Sequence, residues 1–204
     1  MNYFTADLHL HHENRNGGIV NLCNRPYPNV PTMTQDLIQK SNEIVTDSDT
    51  IHDLGDVAFR CSAWDVVESL KQMNGKRIIL LGNHDKALRQ AYKKGLLKDL
   101  IKRGKIEIIG GDMAINDHTL SLSKMLTIQE QRVFISHYAT RTWPNAFRGS
   151  YHLFGHSHSN LSPFYKSFDV GVDTETESHR RFYPWSWDEI VKRMNLMTKD
   201  FEEK

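Results

Sequence analysis

Apolar residues in this chain fall into short runs that stop at glycine, aspartate or asparagine. Asn2 to Ala6 predicts a strand ending at Asp7, Thr50 to Leu54 one ending at Gly55-Asp56, and Arg77 to Leu81 one ending at Gly82-Asn83. Between these runs the apolar positions recur at helical spacing. Leu37, Ile38, Ile44 and Val45 mark one helix. Trp64, Val66, Val67, Leu70 and Met73 mark a second, capped by Ser62 and closed by Gly75. Helices over Lys86 to Lys94 and Leu96 to Arg103, with Gly95 between them, follow the third strand. Asn14 to Pro31 holds Asn16-Gly17-Gly18 and Pro26, Pro28 and Pro31, and reads as loop.

The second half is richer in strands: Lys105 to Ile109, His118 to Ser123, Gln131 to Ser136, Tyr151 to Phe154 and Ser167 to Val172. Ser186 and Glu189 have capping-box spacing and open a last helix through about Asn195. Thr198 to Lys204 reads as a frayed tail. Strands alternating with helices, then strands in succession, predict one α/β domain over residues 1–197, with a mixed sheet core and outer helices.

Charge narrows the partners. In 204 residues, 26 Lys and Arg face 25 Asp and Glu, for a net +1. That near-balance removes the whole-protein case for long nucleic acid or an anionic membrane surface. The longest apolar run, Ile78 to Leu81, is too short to span a bilayer. The first residues lack the basic start and apolar core of a leader. The two separated cysteines, Cys23 and Cys61, read as a reduced pair in a cytoplasmic protein. The number of partner subunits is not legible.

The unusual count is eleven histidines, and their placement carries the chemistry. Five strand-like runs end in metal-competent side chains: Asp7-Leu8-His9, Gly55-Asp56, Gly82-Asn83-His84-Asp85, His137, and Gly155-His156-Ser157-His158. Ligands bind at the carboxyl ends of strands in α/β sheets, so these five exits can converge on one crevice. In extended backbone residues i and i+2 point the same way, which lets Asp7 with His9, and His156 with His158, present paired ligands. Carboxylate, amide and imidazole without thiolate suit two divalent transition ions, manganese first, with Fe, Ni, Co or Zn as alternatives. Asp7, His9, Asp56, Asn83, His137, His156 and His158 make seven ligands, enough for two four-coordinate sites if Asp56 is shared. Two such ions, set against two carboxylates and a hydroxide, leave about one positive charge, which attracts a phosphate oxygen.

These motifs, in this order, resemble the calcineurin-like metallophosphoesterase superfamily, with its D-x-H, G-D, G-N-H-D, single-His and G-H-x-H signature. The resemblance runs from Asp7 to His158, and Cys23-Asn-Arg-Pro26 and Ser136-His-Tyr138 are similar to small bacterial and phage-encoded members. It implies a four-layer sandwich of two mixed β-sheets flanked by α-helices. It also implies Asp7, His9, Asp56 and His158 on one ion, Asp56, Asn83, His137 and His156 on the other, and His84 facing the leaving-group oxygen. Phe59 stands where the Ser/Thr phosphatase branch carries an aspartate behind the catalytic histidine, which argues against that branch.

The expected activity is hydrolysis of a small phosphate ester by in-line attack of a metal-bridging hydroxide. A phosphodiester such as a nucleotide or cyclic nucleotide is favoured over a monoester. A nuclease acting on DNA or RNA ends and a non-catalytic metal-loaded nucleotide-binding module are the alternatives. His12 and Arg148 are the candidate substrate contacts. His11, His52, His118, His152 and His179 read as ordinary surface or core residues, and Trp143, Trp185 and Trp187 as packing.

Overall fold

The structure is a computed structural model and describes residues 1–117, 122–178 and 180–197. In chain order its elements are β1 (Asn2–Thr5), α1 (Gly18–Leu22), α2 (Val30–Ile44), β2 (Thr50–Asp53), α3 (Ala63–Gln72), β3 (Lys76–Ile79), α4 (Lys86–Lys93) and α5 (Lys98–Lys102). There follow β4 (Ile106–Ile108), α6 (Gly111–Asn116), β5 (Ser123–Ile128), β6 (Gln131–Ser136), β7 (Tyr151–Phe154), β8 (Ser167–Asp169), β9 (Trp185–Ser186) and α7 (Trp187–Leu196).

The strands form two mixed sheets. One has the order β4-β3-β2-β1-β9, parallel except for the antiparallel edge strand β9. The other has the order β5-β6-β7-β8, with an antiparallel β5–β6 hairpin and parallel β6, β7 and β8. Alternation along β1 decides the layering. Phe4 and Ala6 point between the sheets, onto Val133, Ile135, Leu153 and Phe168. The opposite face of the first sheet lies under α2, α3 and α4, where Met33, Leu37, Val66, Leu70 and Leu88 pack with Leu8, Leu10 and Ile79.

The outer face of the second sheet departs from the expected helical fourth layer. Phe134 packs there with Trp143, Ala146 and Tyr165, so the cover is the segment after β6 and the turn before β8. The reading of the loop after the first strand also changes. The segment read as loop contains α1, and Pro31 enters the first turn of α2, capped by Asn29, because proline's missing N–H costs nothing there. Among the described residues the hairpin strand is Ser123–Ile128, and the strand expected at His118 to Ser123 falls largely on residues 118–121, outside the described set. The tail at 198–204 lies outside it as well. Both expected capping residues are in place: Ser62 with Asp65 on α3, and Ser186 with Glu189 on α7.

Register places the strand exits. Thr5, Asp53 and Ile79 are level across β1, β2 and β3. Phe154 is level with Asp169, and Gly155 N–H donates to the His137 carbonyl at 3.0 Å. A parallel bridge between Ala6 and Gly171 joins the two sheets at that edge, so every exit opens into one seam. Among the described residues no helix is long and apolar enough to cross a membrane.

His152 lies fully buried on the covered outer face, its ring nitrogens 2.9 and 2.8 Å from the Ser136 and Ser167 hydroxyls. Burial pushes its pKa down to about 3. The unfolded chain therefore binds a proton that the folded chain refuses between about pH 6.5 and pH 3, and stability rises with pH across that window. Urea midpoints of the metal-free protein should fall as pH drops through it. His152→Gln, which titrates nothing, should show a shallower fall; equal slopes in the two proteins would refute this origin.

Candidate metal centre

The seam brings all seven predicted ligands together in two groups. Asp7, His9 and His158 place one donor atom each within 4.8 Å of one another, and so do Asp56, His137 and His156. Asp56 stands between the groups, with Oδ2 3.5 Å from His9 Nε2 and 3.5 Å from His137 Nε2. Asn83 Oδ1 is 3.0 Å from His137 Nε2. Asp7, His9, Asp56 and His137 are buried, whereas Asn83 and His156 are exposed, so the centre has a dry floor and an open mouth.

The paired-ligand geometry differs from the extended backbone expected from spacing. Asp7, His9, Asp56, His156 and His158 all have positive φ, between 46° and 68°. This left-handed region is uncommon for residues other than glycine. His156 and His158 consequently join different groups instead of sharing one. Strain of this kind persists only where the surroundings enforce it.

Those surroundings are identifiable. Buried Arg25 donates to the backbone carbonyls of Asp7 and Leu8 at 2.7 and 3.0 Å, and to both Asp173 carboxylate oxygens at 2.8 and 2.9 Å. Asp85 turns away from His84 and accepts from the backbone N–H of Asp56, Val57 and Gly82 at 2.8–2.9 Å, tying the second motif to the third. Asp169 accepts from the Ser157 hydroxyl and the Ser159 N–H, holding the His156–His158 turn. Space is also constrained: a Cβ on Gly82 would lie 2.2 Å from Asp56 Oδ1.

Arg25, Asp169 and Asp173 are the functional residues that sequence reasoning passed over. A signal existed, because Asp169-Val-Gly171-Val-Asp173 repeats the pattern of a strand exit followed by acids.

The imidazoles are oriented for coordination. His137 Nδ1–H donates to the Leu54 carbonyl at 2.8 Å, and His158 Nδ1–H donates to Asp173 at 2.7 Å, which leaves each Nε2 facing the seam. At His137 that nitrogen meets the oxygens of Asn83 and Asp56, and only a proton or a cation can sit among three lone pairs. Asp7 Oδ1 and His9 Nε2 are buried with no hydrogen-bond partner. Orphaned buried acceptors are costly, and coordination satisfies them, so the residues fit a pair of divalent ions.

Electrostatics in the metal-free protein agree. Burial opposes charge on Asp56, but His137 and His9 outweigh it and hold the carboxyl down at about 2. Burial, reinforced by Asp169, pushes Asp7 up to about 8. Burial works against protonation of His137 and His158, yet Asp56 raises the first to about 9 and Asp173 raises the second to about 10. Burial holds His9 well below its ordinary range.

Around the mouth, His84 is half-buried, its ring 4.1 Å from Phe59 and 5.4 Å from His9, and its backbone N–H donates to Asp56 Oδ1 at 2.8 Å. His12 is brought to the centre as expected. Its Nδ1 is 3.2 Å from His9 Nδ1, its ring packs edge-on against Phe59, and burial with the nearby His84 lowers its pKa to about 4. Arg148 is not brought there. It lines a hollow with Gln131, Arg132 and Ser150 at the start of β6 and β7, ~20 Å of strand from His137. That corrects its reading as a substrate contact: the strands run away from it toward the seam. His11 and His52 take structural roles against Ser69 and Phe4. Trp143, Trp185 and Trp187 are buried, and both cysteines are free. His118 and His179 lie outside the described residues.

No family model matches the chain. It is 38% identical over 85 residues to the uncharacterized protein MJ1445 of Methanocaldococcus jannaschii, a match covering 41% of this chain and 46% of that protein. The matched stretch thus spans under half the length of this relative. The fold is similar to the crystal structure of the protein of unknown function AQ665 from Aquifex aeolicus. The TM-score is 0.63 at 21% identity, covering 95% of this chain and 98% of the other.

Two outcomes are expected at this centre. Asp7, His137 and His158 are protonated at pH 7 without metal, so loading must displace those protons and affinity must climb with pH. Calorimetric titration with Mn in buffers of different ionisation enthalpy should report about two to three protons released per chain, and no release contradicts the ligand assignment. Asp173→Asn should weaken metal binding ~10–100-fold by freeing the His158 ring, and an unaltered affinity by equilibrium dialysis would exclude that support.

Proposed function

We propose that this protein is a dinuclear-metal phosphoesterase of the calcineurin-like kind, acting on a small phosphate ester, with a phosphodiester favoured over a monoester. The observation that carries the reading is Asp56, a buried carboxylate equidistant from one histidine of each ligand group, with His84 at the rim of the same crevice. The chain's similarity to AQ665 supports the fold alone.

Asp7, His9, Asp56 and His158 would hold one divalent ion, and Asp56, Asn83, His137 and His156 the other. When bound, such a pair supplies Lewis acidity at phosphoryl oxygens and acidifies water near neutral pH. The chain's own residues do the rest. Asn83 and His156, both exposed, set the open side on which the ester enters. His84 is placed to give a proton to the departing oxygen, or to stabilise its charge. Phe59 packs on the His84 ring and limits its rotation, doing by contact what a carboxylate does by hydrogen bond. His12, held neutral behind His9, keeps the crevice floor uncharged apart from the ligands. Manganese is the first candidate, with Fe, Co, Ni or Zn as alternatives.

His84→Ala should retain two ions per chain by elemental analysis while losing ~10²–10⁴-fold in turnover of an aryl phosphodiester. Asp56→Asn should bind fewer ions and lose turnover as well. Manganese-loaded protein that cleaves neither an aryl diester nor an aryl monoester would defeat the reading.

A further inference from the structure

A second cleft opens beside the metal centre and shares Asn83 with it. It encloses about 420 Å³, within the ~300–1,000 Å³ of small-ligand sites. Lys86, Gln90 and Lys93 line it from successive turns of α4, Arg89 lies between them, and Asn116 forms the facing wall. Arg89 is only 8% exposed and donates to the Ala114 carbonyl, with Asp85 and Asp117 nearby. Lys86 and Lys93 are exposed and have no ion-pair partner among the described residues. No carboxylate is among the described residues that line the cleft.

In a chain of net charge +1, this is a local concentration of positive charge. It starts at a proposed ligand of the metal centre, next to His84, and runs ~10 Å along α4. Whatever fills it is continuous, through Asn83, with the group at the metals. Lysine ammonium groups bind phosphate as point charges, and the Gln90 and Asn116 amides suit the hydroxyls or base edges between two phosphates.

Resting on the phosphoesterase reading, we infer that the substrate is a phosphodiester that bears a second phosphate, and that Lys86 and Lys93 receive it. The class is that of short nucleotide oligophosphates and terminally phosphorylated dinucleotides, bounded by the end of the cleft.

The test compares dithymidine monophosphate with the same dinucleotide carrying a 3′-phosphate, using the manganese-loaded full chain. The second phosphate should raise kcat/KM at least about tenfold, through KM. The double variant Lys86→Ala, Lys93→Ala should bring the ratio of the two substrates near unity, and added salt should shrink it in the parent. A ratio near unity in the parent, or one untouched by the double variant, overturns the inference. If neither compound is hydrolysed, the phosphoesterase reading fails separately. Direct titration of the two compounds, then stable, still decides the cleft: tighter binding of the 3′-phosphorylated one, abolished in the double variant, supports it, and equal binding overturns it. Affinity that keeps growing through ten-nucleotide oligomers overturns the bounded class and makes the cleft a nucleic-acid groove.

Discussion

Among the carboxylates buried where the two sheets meet are those of Asp7, Asp56, Asp85, Asp169 and Asp173, and a buried charge must be compensated or neutralised. Three are answered by the chain itself. Asp173 has Arg25, Asp85 has three backbone N–H groups, and Asp169 has backbone N–H groups and a serine. Asp7 and Asp56 face imidazoles, whose proton demand rises or falls with whatever else sits among them. The seam is therefore a place where protons or cations must reside for the fold to be comfortable. Ligand geometry and fold stability are the same problem here.

The compensating groups also explain how so strained a backbone survives. Left-handed conformations at Asp7, His9, Asp56, His156 and His158 are each unfavourable alone. They are over-determined by Arg25 beneath the first motif, by Asp85 bridging the second and third, and by Asp169 beneath the last. Glycines at the crossing points let these loops approach closer than any Cβ would allow, as at Gly82 against Asp56. Rigidity is thus concentrated at the floor of the crevice. Exposed Asn83 and His156 and half-buried His84 border the mouth, where the proposed substrate would come and go.

Around this floor the chain's near-neutral total charge conceals a polarity. Acids gather in the seam, while Lys86, Arg89 and Lys93 gather along one side of its mouth. On the proposed reading, an anionic ester meeting a cation pair at one end and ammonium groups at the other would be held at two points, which would fix its orientation before any bond breaks. Phe59 packs against the rings of both His12 and His84 at this mouth.

The amino-acid pattern alone determined that strands stop at Asp7, Asp56, Asn83, His137 and His156. Apolar periodicity and glycine punctuation are local physics, and metal-competent side chains at strand ends are visible without a fold. The capping serines of α3 and α7 were legible for the same reason, since a cap needs only residues three apart. The pairing that supports the site was not: Arg25 reaches Asp173 across 148 positions, and although Asp173 follows a strand exit, nothing local says that the two meet. Likewise Asp85 adjoins His84 in sequence, yet serves Asp56, Val57 and Gly82, because the turn at Gly82 aims its carboxylate back into the seam. Arg148 is near the later motifs in sequence and a strand's length from them in space, because β6 and β7 carry the chain away. Which faces meet, which acids are buried together and which cations line the mouth follow from sheet register and long-range packing, and those only the tertiary structure decided.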